Sequence, residues 1–428
     1  MTISILAVLA ILFLIFIKIP ISFALFVVGY LGIWYIRGFD TANSVLYLQQ
    51  VSGVISSDMA ALPLFILIGA IALSAGIASD GYTAARAWLG RLPGGLGVAT
   101  LDPSSVFAAS SGSSVAGAVT MGKLAIPEMK KSGYSDSLST GISGAGGLLA
   151  TMIPPSGMMV LYGLATGESI GRLLIAGIIP GILLILSFAL SIILIAKLRP
   201  GMAPTIKEKL TWKEKFAALP KLGGVLAIFG TVFIGLFSGF FTVTEAAAWG
   251  AFASLILLIL KTGKTFPKKF VEACIESASI TVSLLFLVLG AYVFSNFLIF
   301  AGLPQIRSDM ILGSELHPYL ILLMIIATYF VLGMFMDGVT MLMITMPIYY
   351  PIIIDLGFNG IWFGIIVIAM IEVGMVTPPL GIVAYSLKSV VPDVNISTIF
   401  KGCMLFMAIQ MLVVGIIVAF PEIATFLP

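Results

Sequence analysis

The sequence predicts an all-α polytopic membrane protein made of two inverted repeats, each with a re-entrant hairpin and a Pro-broken helix. Three observations carry this expectation. The 428 residues are 60% hydrophobic and only 10% charged, whereas a soluble domain carries near a quarter charged residues. Two long apolar regions are interrupted by Gly, Ser and Pro, where a lipid-exposed span would run unbroken. The interruptions fall at matching places in the two halves, as in a transporter built from inverted repeats.

The first interrupted region is 107–163. Ser110, Ser111, Gly112, Ser113 and Ser114 divide one apolar run, and Pro154-Pro155 divides the next. Non-helical backbone at membrane depth persists only where protein buries it or where it lines a wet cavity. Taken singly, this region also suits close helix packing through small residues. The second region, 332–387, favours the broken-helix reading. Pro127 and Pro347 are 220 positions apart, and Pro154-Pro155 precedes Pro378-Pro379 by 224. Each half therefore has a polar break, a downstream Pro and a double-Pro break.

All ten or so apolar runs are read as long enough to span. A span at 3–17 lacks the basic start and small-residue cleavage site of a signal peptide. A second span follows at 20–36, an interfacial stretch at 42–58 and a span at 62–78. The first hairpin covers about 96–128, with Asp102-Pro103 in its entering arm. A helix split at Pro154-Pro155 and a span at 173–196 complete the first repeat (1–196; scaffold 1–60, transport elements 61–196). The linker, 197–222, is polar and rich in Lys and Arg. The second repeat is 223–428, with scaffold 223–278 and transport elements 279–428. Its parts are spans at 223–240 and 245–260, an interfacial helix at 267–278 and a span at 279–300. A hairpin at about 318–351, a split helix at 361–387 and a last span at 403–420 follow.

Placing the linker and the 261–269 loop in the cytoplasm leaves only Arg37, Arg172 and Arg307 outside, against nineteen Lys and Arg inside. That agrees with the positive-inside rule. Both termini then face outward, and the two hairpins open to opposite sides.

The stretches SSGSSVAGAVTMGKLAIPEMKKSGY (110–134), MIPPSGMMVLYG (152–163), GFFTVTEAAAWGAF (239–252), GMFMDGVTMLMITMPIYYPI (333–352) and GMVTPPLGIVAYSL (374–387) resemble the large membrane subunit of a tripartite ATP-independent periplasmic (TRAP) transporter. The resemblance covers essentially the whole chain. It implies an elevator-type fold in a bacterial inner membrane and sodium-coupled import of organic acids, of sialic acid or C4-dicarboxylate type. It further implies a periplasmic substrate-binding protein and a small four-helix membrane subunit, separate or fused, as partners; none is fused here, so a separate chain is expected. Val243 departs from the Pro usual in the family, and Asp102-Pro103 from small apolar residues.

Sodium, a hard cation, prefers oxygen ligands, which helix breaks and hydroxyls supply. The cation candidates are Ser110, Ser111, Gly112, Ser113 and Thr151 in the first half. In the second half they are Gly333, Asp337, Thr340, Gly374, Met375 and Thr377. An acid at membrane depth is costly and by default functional, so Asp337 is read as a cation ligand. A helix N-cap is its other role, and the two are compatible. Substrate is expected between the tips, at Ser113, Ser114, Pro154, Pro155, Ser156, Gly338, Pro378 and Pro379. Neither tip nor break carries Arg, Lys or His, so half-helix N-termini, hydroxyls and bound cations would hold an organic anion.

Glu245 reads as a helix cap, and Glu372 as a buried structural or proton-linked group. The Met run from Met334 to Met346 reads as lipid-facing or as core packing and not as a metal box, and Lys123 as a snorkelling anchor. Cys274, Cys403 and His317 suggest neither a disulfide nor a metal site, and no cofactor beyond the coupling sodium is expected. No P-loop appears, no nucleic-acid partner is expected, and no catalytic constellation marks an enzyme. A stand-alone sodium/divalent-anion symporter or ion antiporter of related fold is the alternative within the class. A channel is less consistent with two opposed hairpins.

Overall fold

The computed structural model describes residues 2–48, 57–101, 114–204, 211–302 and 316–427. Ser110, Ser111, Gly112 and Ser113, together with Asp102-Pro103 and Arg307, lie outside the described residues. Among those described, the chain is helical, without strands.

The first half opens with α1 (Thr2–Phe16), α2 (Ile21–Arg37), α3 (Phe39–Leu48) and α4 (Ser57–Ser74), followed by α5 (Ile77–Leu89). Residues 95–101 are helical. Beyond 113 come α6 (Ser114–Lys131), α7 (Asp136–Leu149) and α8 (Gly157–Thr166). Then follow α9 (Ile170–Ala176) and α10 (Ile178–Leu198), so the span expected at 173–196 is two helices meeting at Gly177. The linker contains α11 (Trp212–Ala218), and the second half begins with α12 (Gly223–Phe237), α13 (Val243–Thr262) and α14 (Phe266–Phe300). After 315 come α15 (Pro318–Gly333), α16 (Gly338–Asp355), α17 (Gly360–Val376) and α18 (Ile382–Val390). The chain closes with α19 (Ile396–Ala419) and α20 (Glu422–Thr425).

Two expectations about length are corrected. Among the described residues only five helical runs are long and apolar enough to cross a membrane, or six if α4 and α5, bent by 65°, count as one. The others are apolar helices of 10–17 residues, short of the about 20 a full span needs. Polar, Gly and Pro breaks end them early: Pro20 and Gly38 bracket α2, and Ser156 and Gly167 bracket α8. Conversely, the interfacial helix at 267–278 and the span at 279–300 are one helix, α14, of 35 residues. No Gly or Pro lies between Lys268 and Leu289, so nothing in the backbone interrupts it.

Elements at corresponding places in the two halves make corresponding contacts. α2 packs along α14, and α13 along α4. The α2–α14 crossing is tight: a Cβ built on Gly29 would lie 2.8 Å from Phe294 Cα, and one on Gly290 2.7 Å from Ser22 O. Small residues permit such approach between helices in lipid. Likewise α6 packs on α18 and α16 on α8, so α6 and α16 each meet the helix that follows the double-Pro break in the other half of the chain. Two layers result, one of α2, α4, α13 and α14, the other of the hairpin arms and broken helices. α4 and the 279–300 part of α14 thus pack with the helices that the sequence assigns to the scaffold.

Polar contacts join segments that the charge count places on the same side. On one face Lys130 bonds Asp393 (2.6 Å) and Asp136 (3.0 Å), Arg86 pairs with Glu128, and Lys261 with Asp80. The hydrogen bond between Lys130 and Asp393 holds the ammonium above its ordinary range and the carboxyl below its own. On the other face Tyr350 donates to Glu168 (2.7 Å), and Trp362 Nε1 to Ile417 O (2.8 Å). Glu245 is the cap the sequence suggests. Its Oε2 accepts Thr242 N–H at 2.8 Å while Thr242 Oγ1 accepts Glu245 N–H at 3.3 Å, a capping box.

Candidate functional site

The two layers enclose a cavity of about 400 Å3. Its wall on one side comes from the helix breaks. Ser114 opens α6, Gly157 and Met158 open α8, Asp337, Gly338 and Val339 open α16, and Ile382 opens α18. The opposite wall is Leu62 and Ile66 of α4 with Glu276, Ile280 and Leu284 of α14. Four helices therefore present their N-termini to one space. A helix N-terminus carries a partial positive charge, so the cavity can hold an anion although no Lys, Arg or His lines it. This is the chemistry expected of broken helices in transporters.

Asp337 is the N-cap of α16. Its Oδ2 accepts Thr340 N–H at 3.1 Å and its Oδ1 the Thr340 hydroxyl at 2.5 Å, while the side chain is exposed to the cavity. The cap role is observed, and the carboxylate keeps accepting capacity toward the cavity.

Glu372 is 1% exposed. Its Oε1 accepts the Ser114 hydroxyl at 2.6 Å, a bond across 258 positions of chain. Thr151 adjoins the carboxyl without a well-formed hydrogen bond, and Oε2 has no partner among the described residues. One carboxyl thus ties the start of α6 to the end of α17.

Of the residues that the sequence proposes, the cavity gathers Ser114, Asp337, Gly338 and Met375. Thr151, Pro154, Pro155, Ser156, Gly333, Thr340, Gly374, Thr377, Pro378 and Pro379 are not part of its wall. Several have visible structural tasks. Ser156 caps α8, accepting Met159 N–H at 3.4 Å. Thr377 Oγ1 donates to Val373 O at 2.7 Å. Gly333 and Gly374 abut, since a Cβ on either would lie 2.4 Å from the other's Cα. Their contact pins the hairpin's incoming arm, α15, to α17. Met336, Met341, Met343 and Met346 are buried in the core, as packing requires.

Glu276 is the wall residue that sequence reasoning missed. Its segment reads as an interfacial helix, yet α14 continues straight into the apolar layer and carries the carboxylate to the cavity. The unbroken run from Lys268 to Leu289 is the signal that could have revealed it.

Comparison with known proteins agrees with this architecture. A family model described as "Tripartite ATP-independent periplasmic transporter, DctM component" matches residues 8–423. The C4-dicarboxylate TRAP transporter large permease protein DctM of Pseudomonas aeruginosa is 31% identical, over 86% of this chain and 85% of that protein. The sialic acid TRAP transporter large permease protein SiaM of Vibrio cholerae is 30% identical, over 89% and 88%. The ectoine TRAP transporter large permease protein TeaC of Halomonas elongata is 30% identical, over 95% of each. Among solved structures, the YdaH transporter of Alcanivorax borkumensis superposes with a TM-score of 0.63 at 13% identity, covering 89% of both chains. That likeness concerns the fold alone.

Proposed function

The chain belongs to the DctM component family of tripartite ATP-independent periplasmic transporters, a family of permeases and not of enzymes, and on that premise we propose that it is the membrane component of a sodium-coupled importer of organic acids. It takes its substrate from a periplasmic binding protein and works beside a small membrane subunit. It lies in a bacterial inner membrane with both termini periplasmic.

The single observation that carries this reading is the cavity between the two layers. One wall is built from helix breaks contributed by both halves, and the other from α4 and α14. A bound anion would meet four helix N-termini, while Asp337 offers a carboxylate for sodium. The hairpin arms and broken helices move as one block past the fixed layer, carrying the load from one side to the other. Such a site grips through dipoles and cations instead of an Arg clamp. It is permissive, which suits a system whose selectivity resides in a separate binding protein. The relatives carry C4-dicarboxylate, sialic acid and ectoine in their names, and the organic-acid class spans the first two.

The test is uptake into proteoliposomes holding the chain and its small subunit. Radiolabelled succinate, sialic acid and ectoine are supplied one at a time with the cognate binding protein. Uptake of one of them should require both the binding protein and an inward sodium gradient. Uptake of free substrate without the binding protein would favour a stand-alone symporter, and uptake indifferent to sodium would remove the coupling.

A further inference from the structure

Three carboxylates line or adjoin one cavity with no basic side chain in its wall: Glu276, Asp337 and Glu372. They do not have equal standing. Asp337 and Glu372 sit at helix breaks, Asp337 capping α16 and Glu372 bonded to Ser114. Both belong to the hairpin and broken-helix layer. Glu276 belongs to α14, which packs along α2 in the other layer. It is exposed toward the cavity.

A second observation concerns the buried carboxyl. Glu372 is 1% exposed, yet its Oε2 has no hydrogen-bond partner among the described residues. A buried carboxylate oxygen without a well-formed hydrogen bond is costly, and with only the Thr151 hydroxyl beside it a positive group in this space would relieve that cost. A cation answers that need, and the charges around the cavity favour one.

We propose that Glu276 is the wall-side coupling carboxylate: its fixed negative charge raises cation occupancy of the cavity when the moving block stands opposite it. The inference rests on the transporter reading above. Among the described residues no three His, Cys, Asp or Glu stand close enough to hold one metal ion together. Glu276 therefore acts through its field and not as a third ligand beside Asp337 and Glu372. The same field opposes an organic anion that arrives without cations, since like charges repel. Because Glu276 stays on the fixed layer, its contribution depends on where the block stands. It thereby links the charge of the load to the block's position, and a ligand carried on the block itself would not do so.

The probe is sodium alone, so no substrate need be known. The purified chain is titrated with sodium chloride at constant ionic strength, made up with potassium chloride, and the sodium-specific rise in Tm gives a midpoint. Glu276→Gln should raise that midpoint roughly fivefold, the effect of removing one unit charge several ångströms from a bound ion in a partly hydrated space. Glu276→Asp keeps the charge and should stay within about twofold of the unmodified chain. Glu272→Gln, one turn away, exposed and outside the cavity wall, should leave the midpoint unchanged. A normal sodium titration in the unmodified chain together with an unchanged midpoint in Glu276→Gln overturns the inference alone. Should Glu276→Gln fail to fold, a midpoint in Glu276→Asp shifted as far as fivefold or lost would overturn it, because charge would then not be what matters. No sodium-specific rise in the unmodified chain would overturn both this inference and the sodium coupling beneath it.

Discussion

Asp337→Asn separates the two tasks of one side chain. As the N-cap of α16, Asp337 accepts Thr340 N–H at 3.1 Å and the Thr340 hydroxyl at 2.5 Å. Asn caps a helix about as well as Asp, and its carbonyl oxygen can accept the N–H bond in the same geometry. The variant should therefore fold with a stability change below about 1 kcal/mol, whereas Asp337→Ala loses the cap at a cost of about 1 kcal/mol. Charge is what Asn lacks. Two unit charges 4 Å apart interact by about 1 kcal/mol in bulk water and about 4 at an effective dielectric of 20. Asp337 is exposed to a cavity and not sealed in protein, so an intermediate value of about 2 kcal/mol is apt. That corresponds to a roughly thirtyfold rise in the half-saturating sodium concentration. The assay is initial uptake rate against sodium in proteoliposomes, with Tm and binding-protein capture as folding controls. A sodium curve identical to that of the unmodified chain would refute the cation role and leave Asp337 as a helix cap.

Gly374→Ala should lower stability by about 1 to 3 kcal/mol and abolish uptake, because its new methyl would press on Gly333 Cα at 2.4 Å and part α15 from α17; Tm and uptake report the two losses. Ser114→Ala removes the only hydrogen bond described for Glu372 Oε1. Losing a partner of a buried carboxylate costs about 2 kcal/mol, which thermal unfolding would register. Cysteines placed at Lys213 and Lys264, exposed on the side assigned to the cytoplasm, should resist an impermeant thiol reagent added outside, while one at Asn359 should react. The opposite labelling pattern would reverse the orientation.

The breaks were legible because Pro, Gly and Ser at membrane depth are physically conspicuous. Pro154-Pro155 and Pro378-Pro379 do separate α7 from α8 and α17 from α18, and Glu245, legible as a cap from its place near the end of a span, does cap α13 together with Thr242. What a break is for was less legible. Gly333 and Gly374 read as carbonyl donors to a cation, yet they also provide the close approach of two helices. Small residues serve both purposes and a sequence does not distinguish them. Thr377 likewise reads as a cation ligand, but its hydroxyl makes a hydrogen bond to Val373 O, a local backbone interaction that any Thr in a helix can form. Glu276 escaped notice because a charged, amphipathic stretch before an apolar run looks like an interfacial helix. Only the absence of a breaker between Lys268 and Leu289 shows that α14 carries it inward.

The sliding of the block past the fixed layer is tested most directly away from the cavity, in the apolar groove of about 420 Å3 where Leu12 of α1, which packs on α2 of the fixed layer, and Val331 of α15 line a common space. Cysteines at these two positions, in a chain whose Cys274 and Cys403 are replaced by Ser, can be joined by a bifunctional thiol reagent with a reducible bridge. Sodium-driven uptake should vanish in proportion to the fraction joined and return when the bridge is reduced. Full uptake by completely joined protein would contradict the motion.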